Sequence, residues 1–188
     1  PIRESFYGDD ETKKTSKPKS TPDMKDSTAY MVPDMLRDVL GERAGATGKA
    51  AAIPGLDVAG KTGTTNYTSD EFKKYNLSEG SAPDIWFAGY TTNYSIAIWT
   101  GYEKRENAIN TYERSERLFA QMLFKDIMTN ISEGQETPRF KRPNSVVEAI
   151  VEVGTSPLRL ASEFTPENLR RTELFVRGSE PTQVSEEY

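Results

Sequence analysis

Residues 55–67 read Gly55-Leu-Asp-Val-Ala-Gly-Lys-Thr-Gly-Thr-Thr-Asn-Tyr67. The first eight fit G-x-x-x-x-G-K-[ST], the pattern of a loop that cradles phosphates on backbone N–H groups. That reading needs a buried hydrophobic strand running into the first glycine and a helix opening at Lys-Thr, so that its N-terminus faces the phosphates. Here Gly55 is preceded by Gly48-Lys-Ala-Ala-Ala-Ile-Pro54, and a proline with a Gly/Ala-rich lead-in is poor material for a central strand. After Lys61 come Thr62-Gly63-Thr64-Thr65, where a glycine among β-branched residues opposes a helix and favours extended chain. No run of four apolar residues ending in Asp is present to hold magnesium. The segment from Leu56 to Thr65 is therefore read as a strand.

On a strand, Lys61, Gly63 and Thr65 point one way and Thr62 and Thr64 the other, unless a twist or bulge at the glycine relaxes the alternation. The Lys61 ammonium and the Thr62 and Thr64 hydroxyls can fix a substrate carboxylate by charge-assisted hydrogen bonds. Gly63 has no side chain to hold a ligand away. An edge strand also offers free N–H and C=O groups to a peptide-like substrate. The Thr64 N–H is then a candidate oxyanion donor, an interaction worth about 3–4 kcal/mol in acyl transfer. The plainer reading is a solvated edge strand with a turn glycine, because Lys-Thr-Gly is three common residues.

Composition narrows the chemistry. The 188 residues carry a net charge of −5, so no broad basic field invites nucleic acid. With no cysteine there is no disulfide, thiolate nucleophile or zinc-thiolate site, and with no histidine there is no Ser-His-Asp triad or His-ligated metal within the chain. No metal or cofactor is expected. Acid–base work falls to a tuned carboxylate, Tyr or Lys. No run of 18 or more apolar residues and no signal peptide is visible. The start at Pro1 without Met reads as a fragment whose targeting segment lies elsewhere.

Along the chain, residues 1–26 read as a polar linker after a short strand ending near Tyr7. A helix capped by Asp26 or Ser27 runs to about Leu40, with Met31, Met35 and Val39 on one face. Pro33 argues for a kink or restart, and Gly41 for a left-handed cap. Residues 41–55, rich in Gly and Ala, suit a mobile loop beside a site. Asp84–Tyr90 and Tyr94–Thr100 are strands joined by a hairpin turn, and 68–83 is a surface loop. Residues 115–131 form the strongest helix, with Leu118, Phe119, Met122, Leu123, Ile127 and Ile131 at helical spacing and Gly134 after its end. Val146–Val153 and Glu173–Val176 are strands of a small β appendage. The charge runs at 12–19 and 103–117 read as solvated faces. Tyr67, Trp86 and Trp99 read as packing groups rather than ligand contacts.

With these elements placed, K-T-G takes on more weight, because it belongs with S-x-x-K and S-x-N in serine acyl-transfer enzymes. The stretches STAYMVPDMLRDVL (27–40), GATGKAAAIPG (45–55), AGKTGTTNYTSD (59–70), APDIWFAGYTTNYSIAIWTGY (82–102) and ELFVRGSEPT (173–182) together resemble class A penicillin-binding proteins of Gram-positive bacteria. The resemblance implies an α/β (α+β) fold. In it an antiparallel sheet packs against helices, as part of the penicillin-binding/serine β-lactamase-like transpeptidase fold, with a small C-terminal β region. It divides the chain into a linker (1–26), the C-terminal part of a transpeptidase domain (27–142) and the β region (143–188).

The resemblance further implies D,D-transpeptidation. A serine attacks a D-Ala-D-Ala stem peptide of peptidoglycan, D-Ala leaves, and an amine on another stem resolves the ester. β-Lactams acylate the same serine. Lys61 and Thr64 are the catalytic residues so implied, and Thr62, Gly63 and Thr64 bind substrate. The nucleophile motif occurs formally as Ser16-Lys-Pro-Lys19, but in a proline-broken polar segment, and no S-x-N exists. The nucleophile is accordingly expected on an upstream fragment of the same protein. The membrane would be met only through an N-terminal anchor absent here, at the extracytoplasmic face. A non-catalytic peptidoglycan- or partner-binding module on the same fold is the alternative. A β-lactamase-like hydrolase is disfavoured, because its deacylating carboxylate would lie upstream.

Overall fold

The computed structural model describes residues 4–7, 12–15, 21 and 23–188. The strand expected to end near Tyr7 is β1 (Glu4–Tyr7), paired antiparallel with β2 (Thr12–Thr15) inside what reads as linker. The segment Ser16-Lys-Pro-Lys19 lies outside the described residues.

Helix α1 (Asp26–Asp38) is continuous through Pro33, so no restart divides it. Its N-cap is Lys25, one residue before the expected Asp26 or Ser27, and Asp26 accepts from the Ser27 N–H (2.7 Å). Two further expectations fail here. Met35 is 60% exposed, while Ser27, Pro33 and Leu40 are buried, so the inward face is a different one. Gly41 is not left-handed; the chain leaves α1 through tight turns at Leu40 and Gly41, and the first positive-φ glycine is Gly45. Arg37 fixes the rotation of α1 by pairing with Asp34 and, at 3.1 Å, with Asp57 beside the next strand.

Part of the stretch expected to be mobile, around Gly48 to Ile53, is packed. Residues Lys49–Ala51 form a 3-10 turn, Ala51 is fully buried, and the Gly48 N–H bonds the Val39 carbonyl at 2.8 Å. Small residues here serve close approach rather than mobility.

The central sheet has the order β3-β5-β6, all antiparallel, from β3 (Ala59–Thr64), β5 (Asp84–Tyr90) and β6 (Ser95–Gly101). Between β3 and β5, the expected plain surface loop holds helix α2 (Ser69–Lys74) and a two-residue strand, β4 (Ser81–Ala82), which pairs with β7 (Ile109–Asn110). Helix α2 starts from a capping box in which Thr68 and Glu71 satisfy each other's backbone N–H.

Helix α3 (Arg114–Ser132) covers the sheet face carrying Ile85, Phe87 and Gly89. It buries Ala120, Gln121, Phe124 and Met128, while Phe119 (52%), Met122 and Ile127 stay exposed, so its expected apolar face is displaced around the axis. Phe87 and Phe124 meet edge to face at 4.8 Å, and Leu40, Ala51, Ile53, Val58 and Ile109 close the core around them.

A second sheet, β10-β8-β9, is built from β8 (Val146–Glu152), β9 (Arg159–Leu160) and β10 (Arg170–Val176). Ser145 at its start donates to Asp26 at 2.8 Å, tying this sheet to the first turn of α1.

A Cβ at Gly60 would lie 2.6 Å from the Phe87 ring and 3.0 Å from the Ala88 carbonyl. The ring is fully buried and cannot yield. Gly60→Ala is expected to destabilise by about 1–3 kcal/mol in urea unfolding. Gly63→Ala, whose nearest contact is 3.3 Å, should cost clearly less, and equal costs would contradict this packing.

Candidate functional site

Lys61 lies mid-way along β3, at the edge of its sheet, and not at the start of a helix. The phosphate-loop pattern therefore has no counterpart in the fold. The register is unbroken, with Lys61 opposite Ala88, Thr62 opposite Phe87, Gly63 opposite Trp86 and Thr64 opposite Ile85. No bulge relaxes the alternation at Gly63. Lys61 and Gly63 share a face with Trp86 and Trp99, which are 42% and 46% exposed. Thr62 and Thr64 share the face covered by α3.

The edge brings the two faces together. The Lys61 Nζ curls over it to donate to the Thr62 carbonyl at 3.0 Å and to the Thr62 hydroxyl at 3.3 Å. The backbone explains why that carbonyl is free. The Thr65 N–H is used on the Asp84 carbonyl at 3.2 Å, so Thr65 and Asp84 form a hydrogen-bonded pair. Antiparallel pairing alternates, which makes Thr64–Ile85 and Thr62–Phe87 non-bonded pairs. The N–H and C=O groups of Thr62 and Thr64 thus point outward, away from β5. The free edge presents an ammonium, two hydroxyls and the outward Thr64 N–H.

The end of the strand is pinned on the Lys61 face. Asp84 accepts from the Thr65 hydroxyl at 2.9 Å and from the Trp99 indole N–H at 2.6 Å, linking all three strands. Tyr67 is buried, as read from the sequence, and its hydroxyl donates to the Arg105 carbonyl at 2.8 Å. Arg105 in turn donates to Glu71 at 2.7 Å, so this charged residue serves a local ion pair.

On the Thr62/Thr64 face lies a cavity of about 610 Å³ that also takes in Thr47, Lys49, Arg114 and Arg117. The Thr47 and Thr62 hydroxyls are 3.0 Å apart. The sequence reading missed these four residues. Arg114 and Arg117 were assigned to a solvated run, and only their spacing with Gln121 along one helix face hinted otherwise.

Comparison with known proteins decides the family. A family model described as "Penicillin binding protein transpeptidase domain" matches residues 2–129. The chain belongs to the penicillin-binding protein transpeptidase family. A second model, "Penicillin-binding protein 1A, C-terminal domain", matches residues 142–188. Penicillin-binding protein 1A/1B of Bacillus subtilis is 42% identical over 98% of this chain and 20% of that protein. Penicillin-binding protein 1A of Streptococcus oralis is 41% identical over 70% of this chain, again 20% of its own length. A crystal structure of penicillin-binding protein 1A from Haemophilus influenzae superposes with a TM-score of 0.54 at 20% identity, covering 85% of this chain and 21% of that one, and bears out the fold. The chain spans about a fifth of the length of these relatives. No helix among the described residues is long and apolar enough to cross a membrane.

The Glu71 carboxyl is held at about 2, below its ordinary 4.5, first by the Arg105 hydrogen bond and then by the Thr68 N–H. Because its folded value is lowered, the cap supports α2 fully above pH 4.5 and loses that support as pH falls towards 2. Amide exchange in α2 is expected to speed up across this window while the β5 amides stay protected. Arg105→Gln should move the onset to higher pH, and an unchanged onset would rule out this linkage.

Proposed function

We propose that this segment supplies the Lys-Thr-Gly wall of a serine D,D-transpeptidase that cross-links peptidoglycan stem peptides and is acylated by β-lactams. The observation that carries the reading is the free edge of β3. An ammonium, two hydroxyls and an outward Thr64 N–H converge there beside a cleft.

In this reading a serine Oγ attacks the carbonyl of the penultimate D-Ala, and the Thr64 N–H is one of the donors that stabilise the oxyanion. The C–N bond breaks, D-Ala leaves with a proton, and a second stem's amine attacks the ester and releases the serine. Lys61 holds positive charge near the reacting serine, and Thr62 and Thr64 bind the substrate carboxylate. Gly63 leaves the edge open. Residues 27–142 serve as the C-terminal part of the transpeptidase domain and 143–188 as a separate β region.

The nucleophile and its partner motifs are proposed to lie on upstream polypeptide of the same protein. That polypeptide would also carry a glycosyltransferase domain and a membrane anchor, holding the enzyme at the extracytoplasmic face. Unpartnered surface supports this. Trp86 and Trp99 are exposed on the Lys61 face, and the outer edge of β6 has no partner strand among the described residues. Apolar surface of this extent, beside an open strand edge, is what further chain would cover.

Thr64→Pro tests the oxyanion role. It deletes an outward N–H that no ladder bond uses, on an edge strand where proline is tolerated. In the intact longer protein, acylation by labelled penicillin is expected to slow by about 10²–10³-fold, with the unfolding temperature little changed. Lys61→Ala should slow it by about 10²-fold or more. Acylation at the normal rate in both variants would overturn the roles given to Lys61 and Thr64, and no labelled serine in the intact protein would favour the non-catalytic binding module.

A further inference from the structure

We infer that Lys49, Arg114 and Arg117 form an anion-selecting wall beside the Thr62/Thr64 face of β3 and capture the terminal carboxylate of the substrate. This rests on the transpeptidase reading and assigns a binding role to residues outside the Lys-Thr-Gly motif.

The three cations come from two segments far apart in sequence and open into one cavity with the Thr62 and Thr64 hydroxyls. No carboxylate lines that cavity, although the chain as a whole carries a net charge of −5. Among the described residues neither Arg114 nor Arg117 has an acidic side chain within ion-pair distance. Lys49 pairs at 3.0 Å with Glu42, whose side chain is 97% exposed, a contact that a ligand can displace at little cost. Converging cations of which two lack an acidic partner and the third has a displaceable one concentrate anions in a cleft.

The cavity wall is held from behind: Gln121 is 4% exposed and donates its Nε2 hydrogen to the Thr47 carbonyl at 3.0 Å, which ties α3 to the turn before Lys49. A peptide terminus offers a planar carboxylate that can meet the guanidinium groups and the hydroxyls together. Arginine forks suit a planar carboxylate bidentately, which gives direction as well as charge.

The test uses the intact longer protein with Arg114→Gln and Arg117→Gln combined. The probes are benzylpenicillin and its methyl ester, which lacks the free carboxylate. Both arginines are exposed on α3, so folding should survive the change. The second-order acylation rate with the acid is expected to fall about tenfold or more, with the loss in the binding step and shrinking at high salt. The rate with the ester should stay within about twofold, because its contact with the wall is already lost. Arg117→Lys should restore part of the acid rate. An unchanged acid rate, or equal losses with acid and ester, would overturn the inference. Lys61→Ala in the same preparation separates the two readings. If it slows acylation about 10²-fold or more while the arginine pair is silent, only this inference falls; if it too is silent, the reading of β3 as the Lys-Thr-Gly wall falls with it.

Discussion

The structure depends on how closely Phe87 is enclosed. Its ring is fully buried, and three glycines make the space. A Cβ at Gly60, Gly89 or Gly48 would come within 2.6, 2.9 or 3.3 Å of it. Gly60 belongs to β3, Gly89 to β5 and Gly48 to the turn before Lys49, while Phe124 of α3 closes the fourth side. One aromatic side chain thus fixes the separation between the strand that carries Lys61, the turn that carries Thr47 and the helix that carries Arg117. Interiors packed this tightly transmit displacement rather than absorb it. A shift at Phe87 would therefore be felt across the width of the cleft.

Electrostatics at the site divides by face. On the Lys61 face the charges are settled locally, with Asp84 tied to Thr65 and Trp99. On the opposite face Arg114 and Arg117 have no acidic partner among the described residues, and Lys49 pairs with the exposed Glu42. Lys61 joins the two, because its long stem crosses the edge to the Thr62 hydroxyl. A shorter basic side chain at this position would stay on its own face. The edge location of β3 matters as much as the residues it carries, since an interior strand would have used the Thr62 carbonyl and the Thr64 N–H in a ladder.

Much of this was legible in the sequence, for identifiable reasons. Asp84–Tyr90 could be read because Ile85-Trp-Phe-Ala88 is a short apolar run rich in β-branched and aromatic residues, set between Pro83 and the short Thr91-Thr-Asn93 turn. Lys61–Thr64 could be placed on a strand because Gly and Thr oppose a helix. The faces of α1 and α3 were misread, because apolar spacing says that a helix is amphipathic but not which apolar stripe meets the sheet. Met35 and Phe119 lie on stripes left exposed, whereas Pro33 and Gln121 are buried. Helix α2 was missed although Thr68-Ser-Asp-Glu71 spells a capping box, because six residues give too little periodicity. Arg114, Arg117 and Lys49 were beyond reach, since only tertiary packing brings Gln121 to Thr47 across 74 residues.

The unbroken pairing of β3 with β5 has an evolutionary consequence. Every property of the edge is a matter of odd or even position. Odd residues send their amides inward and their side chains to the Trp86 face, and even residues do the reverse. Point replacements leave that parity intact. Insertion or loss of a single residue between Ala59 and Thr65 exchanges the two sets at a stroke, withdrawing the ammonium, the hydroxyls and the outward amide together. Descendants of this strand are free to vary in composition, but scarcely in length.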